Sequence, residues 1–177
     1  MERKPFKDLK RMTWEESLMA VATQYALRSV CRFYKVGAVI VGPEYRILAA
    51  GYNGPVKGDL HCSEIGCAKW EESSVFGRKI CRGAHAEANA IVNAACQGVS
   101  IKDSILIVTV CPCWDCAKLI VNAGIKRVIY LWEYDRKDED FVERWLLDRG
   151  VAISKLEVKT ELGKKYFQWI KSLLERR

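Results

Sequence analysis

Histidine is scarce in this chain, with two in 177 residues, and no apolar stretch is long. With so few imidazoles, any metal centre has to draw on another ligand type. The longest apolar runs, Val36 to Val41 and Ile105 to Val110, are far too short to cross a bilayer, so no membrane partner is expected. The opening Met1-Glu2-Arg3-Lys4-Pro5-Phe6 is charged and has no apolar stretch behind it. That argues against a secretory signal and for a cytoplasmic protein. There is no internal repeat and no low-complexity tract. No dense basic block interrupts the middle of the chain either. The net charge of +7 collects at the ends, in Arg3, Lys4, Lys7, Lys10, Arg11, Arg176 and Arg177. Such a distribution reads as solvated surface, and nucleic acid is not expected as a partner. A modest positive field would still help to gather a small anion.

What the chain does have is cysteine, eight in all. Without a signal, cysteines at short spacings read as metal ligands sooner than as disulfides. The length suits one compact domain over residues 1–177. Thr13-Trp14-Glu15-Glu16 is a capping box, and apolar residues recur at helical spacing from Trp14 through Leu18, Met19, Ala22, Tyr25 and Ala26 towards Ser29. Val36 to Val41 and Arg46 to Gly51 flank Gly42-Pro43 and read as a hairpin. Asn53 to Gly83 shows no regular pattern. A loop that long is usually functional, or is tied down by something else. From His85 onward helices and strands alternate. The expected helices are Ala86 to Ala95, Cys113 to Asn122, Asp138 to Asp148 and a C-terminal one at about 160–175. The expected strands are Ser104 to Val110, Arg127 to Trp132 and Val151 to Val158. Alternation calls for parallel pairing with helical crossovers, and the hairpin adds an antiparallel part. The expectation is a mixed five-stranded sheet with helices on both faces, a three-layer α/β/α arrangement.

The strings that carry chemistry are His85-Ala86-Glu87 and Pro112-Cys113-Trp114-Asp115-Cys116. One imidazole and two thiolates make three zinc ligands, and catalytic zinc leaves its fourth position to water. Cys113 and Cys116 are one helical turn apart, at a helix N-terminus whose dipole favours thiolate. Glu87 is placed to reach that water without binding the metal. Cys-x-x-Cys alone also fits a redox pair or half of a structural zinc site, and His-Ala-Glu alone says little. Together they match the pattern of zinc-dependent nucleobase deaminases. In that chemistry zinc-activated water attacks the amino-bearing ring carbon, and Glu87 shuttles the proton.

With these residues the chain resembles the cytidine and deoxycytidylate deaminase family, from about Trp14 to Val151. The resemblance rests on Arg28-Ser29, Val36-Gly37-Ala38, Gly51-Tyr52-Asn53-Gly54, the run His85 to Ile91, the run Pro112 to Lys118, and Ala123 to Lys126. It implies a cytidine deaminase-like fold and hydrolytic deamination of dCMP to dUMP and ammonia. It also implies that Asn53 helps to hold the nucleotide and that Tyr134 lies near the substrate. Read without the resemblance, Asn53 is a turn residue and Tyr134 a strand-end aromatic. A homo-oligomer is implied, as are dCTP and dTTP effectors acting near Gly54-Pro55-Val56-Lys57-Gly58. Cys111 departs from the family, which more often has Tyr, Phe or Ser there; a small buried thiol is expected.

Cys31, Cys62, Cys67 and Cys81 could form a second, structural zinc site that orders the long loop. Cys31 and Cys62 match ligand positions in some relatives, whereas Cys67 and Cys81 follow from composition and place. His61 could replace one of the four, and Cys96 is expected in the core. Two other functions remain open. One keeps the chemistry but acts on a base in RNA or single-stranded DNA, which needs a basic, aromatic-bearing groove. The other is a non-catalytic, zinc-stabilised binding protein, for which an unliganded Glu87 would have no use.

Overall fold

The computed structural model describes residues 10–70, 80–134 and 139–174. Arg3, Lys4, Lys7, Asp138, Arg176 and Arg177 lie outside the described residues. Five strands form the main sheet: β1 (Gly37–Val41), β2 (Ile47–Tyr52), β5 (Ile105–Val110), β6 (Arg127–Trp132) and β7 (Ala152–Lys155). Their order is β2-β1-β5-β6-β7. β1 runs antiparallel to both β2 and β5, while β5, β6 and β7 run parallel. The expected mixed sheet is therefore present. Two-residue strands β3 (Gly54–Pro55) and β4 (Gly83–Ala84) pair with each other and close the base of the long loop. Among the described residues of that loop one short helix forms, α2 (Cys62–Ile65).

All five residues of β1 are buried. A strand reads as an unbroken apolar run when both sheet faces are covered. The side-chain period of two then divides each strand between two cores. Ala38, Ile40, Leu106, Val108, Val128 and Tyr130 face one of them, with α3 (Ala86–Cys96), α4 (Trp114–Asn122) and α5 (Glu139–Leu147). Val39, Val41, Ile107, Ile129 and Leu131 face the other, with α1 (Trp14–Ala26) and α6 (Glu161–Leu174). These are the three expected layers.

Several sequence expectations are corrected. β7 stops at Lys155 rather than Val158, because the chain turns away to bring Lys159 and Thr160 onto Glu16. Trp14 is not on the buried stripe of α1; it lies outside, stacked on Tyr45 at 5.7 Å. Cys96 is exposed rather than in the core. The buried stripe of α3 is Ala86, Ala90 and Ala94, and two residues beyond Ala94 a side chain has turned to the opposite side.

Glu16 is fully buried and ties α1 to α6. Its carboxylate accepts from the Thr13 backbone N–H at 2.8 Å, from Lys159 N–H at 2.7 Å, from Thr160 N–H at 2.9 Å and from the Thr160 hydroxyl at 2.9 Å. Burial pushes its pKa up. The hydrogen bonds from Thr160, Thr13 and Lys159 outweigh that and hold it below the ordinary carboxyl value of 4.5. A depressed folded-state pKa contributes stability above the unfolded value, and that stability is lost as pH falls through the folded one. Glu16→Gln should cost about 2–3 kcal/mol in urea unfolding at neutral pH, since it turns a donor towards N–H groups. The cost should shrink below the ordinary carboxyl pKa; an equal cost at neutral and acid pH would contradict this role.

Candidate active site

Three segments converge at the carboxyl end of β5. The first is the N-terminal turn of α3, with His85 as its N-cap and Glu87 in its first turn. α3 lies unusually close to β2 because residue 51 is glycine: a Cβ there would stand 2.5 Å from Ala90 N and 2.6 Å from Ala86 O. Two amides then fasten the helix, Asn89 Nδ2 donating to Tyr52 O and Asn93 Nδ2 to Ala50 O, each at 2.8 Å. The second segment is Cys111-Pro112-Cys113, where β5 gives way to α4 and Cys113 becomes the N-cap. Cys111 N–H donates to Trp132 O at 2.9 Å and keeps this exit against β6. The third is the turn at Asn53.

His85 Nδ1 lies 3.3 Å from Cys113 Sγ and 3.4 Å from Cys116 Sγ. All three ligand atoms fall within 4.8 Å of one another, and no other such cluster of His, Cys, Asp or Glu occurs among the described residues. Bond lengths of about 2.05 Å to nitrogen and 2.3 Å to sulfur at tetrahedral angles give N···S separations of about 3.6 Å. The donor set and its spacing therefore fit a zinc ion with little movement. Both sulfurs are buried while His85 is exposed, so the trio opens to solvent on the imidazole side.

Without a metal between them, the two thiols are shifted in opposite directions. Cys113 lies well below the usual thiol range, first because Cys116 donates to it and then because His85 is adjacent. Cys116 is pushed up as the donor of that pair and by burial. Glu87 is buried, and burial raises its pKa. His85 opposes that rise, Cys113 adds to it, and Cys116 lies beside the carboxylate.

His85, Glu87 and Cys113 open into a cavity of about 380 Å³, which Cys111, Asn53 and Tyr134 also line. That is within the ~300–1,000 Å³ typical of small-molecule sites. Cys111 is buried, as expected. Tyr134 meets Tyr34 at 4.7 Å between ring centroids. Asn53 is held on two sides by backbone groups. Its Oδ1 accepts from Val36 N–H and its Nδ2 donates to Tyr34 O, both at 2.8 Å. Its amide thus sets the wall that carries Tyr34. Sequence reasoning did not single out Tyr34, Asn89 or Asn93. For the two helical asparagines a signal was present: polar residues four apart in an alanine-rich helix mark one fastened edge.

Cys31, Cys62, Cys67 and Cys81 line the same cavity. No three of their sulfurs approach within 4.8 Å. His61 does not join them; it is exposed, pairs with Glu64 at 3.8 Å and lines a separate cleft.

The "cytidine and deoxycytidylate deaminase zinc-binding region" profile matches residues 12–132, more than half of the chain. The chain belongs to this family. Among its relatives, ComE operon protein 2 of Bacillus subtilis is 35% identical over 150 residues, covering 85% of this chain and 75% of that one. The deoxycytidylate deaminase of Schizosaccharomyces pombe is 36% identical over 127 residues, covering 71% of this chain but 39% of its own length. A solved structure of the dCMP deaminase of cyanophage S-TIM5, in complex with dCMP and dUMP, superimposes with a TM-score of 0.67. It is 36% identical and covers 80% of this chain and 96% of that one. The fold is thus that of the family, and no helix among the described residues is long and apolar enough to cross a membrane.

Asn53→Ala should lower unfolding stability by about 1–3 kcal/mol through the two lost contacts. It should also raise KM more than it lowers kcat, because the Tyr34 wall loosens. Unchanged stability would show that the amide does not fasten this wall.

Proposed function

We propose that this chain is a cytoplasmic, zinc-dependent deoxycytidylate deaminase that hydrolyses dCMP to dUMP and ammonia. The observation that carries the reading is the buried Glu87 opening into the same cavity as a spaced His/Cys/Cys trio. Relatives named deoxycytidylate deaminase, and a similar fold solved with dCMP and dUMP, support the substrate.

His85, Cys113 and Cys116 would hold the metal. Zinc, when bound, supplies a water whose pKa is lowered to about 7. Glu87, whose carboxyl burial holds above its ordinary range, would take a proton from that water and pass it to the ring nitrogen. It would then take the remaining proton from the added hydroxyl and deliver it to the amino group, which leaves as ammonia as the ring carbonyl forms. Tyr34 and Tyr134 offer an aromatic rim against which a planar base can lie. Val36 and Cys111 make part of the wall apolar. The C-terminal helix forms the outer layer of the opposite face, so the reading treats residues 1–177 as one catalytic domain.

Two further elements belong to this proposal. Cys31, Cys62, Cys67 and Cys81, which line the same cavity, would close on a structural zinc. A cleft of about 490 Å³ beside Gly54 to Asp59 would take the dCTP or dTTP effector, in a homo-oligomer.

Glu87→Gln should keep both zinc ions and lose turnover by at least about 1,000-fold, and metal analysis with an ammonia-release assay reads both quantities. Offered dCMP, dCTP, deoxycytidine, cytidine and oligonucleotides, the native protein should prefer dCMP. Measurable deamination by the variant would remove Glu87 from its role, and preference for an oligonucleotide would overturn the substrate. Chelation should abolish activity and added zinc should restore it.

A further inference from the structure

Arg82 is explained neither by the sheet nor by the reaction. Its side chain is only 6% exposed, although it stands on the loop side of the cavity. One edge of its guanidinium is fully used. Nη2 pairs with Asp59 Oδ1 at 2.6 Å, Nε donates to Asp59 Oδ2 at 3.2 Å, and Nη2 also donates to Leu60 O at 2.7 Å. The remaining nitrogen, Nη1, is buried and has no hydrogen-bond partner among the described residues. Leaving a buried donor unmade is costly, so an acceptor belongs at that position.

The chain context says what the acceptor is. Arg82 follows Cys81 directly and lines the same cavity as Cys31, Cys62 and Cys67. Four thiolates around a divalent zinc leave two net negative charges, with Cys62 and Cys67 buried, Cys31 half-buried and Cys81 exposed. Such a centre needs a cation and donors to its sulfurs. Lysine would bring a point charge. Arginine can bind Asp59 with one edge and still present a nitrogen from the other. Nη1 has almost no accessible surface, which disfavours the phosphate of a bound nucleotide as its partner.

We propose that Arg82 is the fixed counter-charge of the Cys31–Cys62–Cys67–Cys81 centre, with Nη1 donating to a metal-bound thiolate while Asp59 anchors the opposite edge. This rests on reading those four cysteines as a second zinc centre. It makes Arg82 a positioning residue that joins the loop entering α2 to the segment leading into His85.

The test uses the full chain purified without chelator, with zinc counted per chain and its release followed against a chromogenic chelator. The native protein should hold two zinc ions. Arg82→Met should weaken one of them by about 10–100-fold and leave the other unchanged, the usual cost of losing an outer hydrogen-bond partner of a metal site. Arg82→Lys, which keeps the charge, should fall between, and covers the case in which the methionine variant does not fold. Asp59→Asn, which keeps the arginine, should cost less than Arg82→Met. In cobalt-substituted protein the thiolate-to-metal charge-transfer band should move in Arg82→Lys and stay in place in Asp59→Asn. The proposal is overturned if the two arginine variants release zinc like the native protein. It is equally overturned if Asp59→Asn costs as much as Arg82→Met, or if the only change is a higher KM for dCMP, which would make Arg82 a phosphate ligand. A native count of one zinc would instead overturn the second centre itself, and the arginine role with it.

Discussion

The approach of α3 to β2 sets the position of everything that does chemistry. A helix backbone can lie against a strand backbone only where no Cβ intervenes, and Gly51 supplies that point. Once there, the helix is prevented from sliding by Asn89 and Asn93, which hold alternate carbonyls of β2. β2 is in turn registered on β1, and β1 on β5. The chain of constraints runs from the α3 N-terminus through three strands to Cys113. His85 and the two thiols therefore meet by backbone geometry and not by flexible side-chain reach. An imidazole at a helix N-cap and a thiol at another N-cap are well suited to this, because caps are the best-fixed places that still face outward.

The electrostatics of the site follow from the same placement. Glu87 occupies the first turn of α3, one position inside the surface, where water is excluded but the metal ligands are adjacent. Burial raises its proton affinity and the neighbouring imidazole restrains that rise. A carboxyl group balanced in this way can both accept and return a proton. The thiol pair is complementary: its contact lowers Cys113 and raises Cys116, and both sulfurs stand beside the His85 imidazole.

The opposite face does structural work. Glu16 is used twice, first in the capping box of its own helix and then as the acceptor for the turn that opens α6. Thr160 relays the contact to Gly163 N–H at 3.0 Å and so caps α6. Further along the same crossing, Tyr166 meets Thr23 and Gln24, each at 2.8 Å. The two helices therefore cover their sheet face through a polar hinge as well as an apolar core. That leaves the α3–α4 face free to be shaped by the cavity.

The sequence by itself determined the layer order, the strands and helices from His85 onward, and the trio with its carboxylate. Each of those depends on short-range rules: period-two runs, capping residues, and ligands one helical turn apart. It misjudged features that depend on what arrives from elsewhere in the chain. Trp14 fits an apolar stripe but stacks outside on Tyr45, and β7 ends early because Glu16 draws the following turn away. Asn53 was legible as a turn residue, yet its two partners come from the segment before β1. Only the tertiary structure brought the four remaining cysteines to the same cavity and left a buried arginine nitrogen without a partner among the described residues, because long-range placement is fixed by packing and no local spacing encodes it.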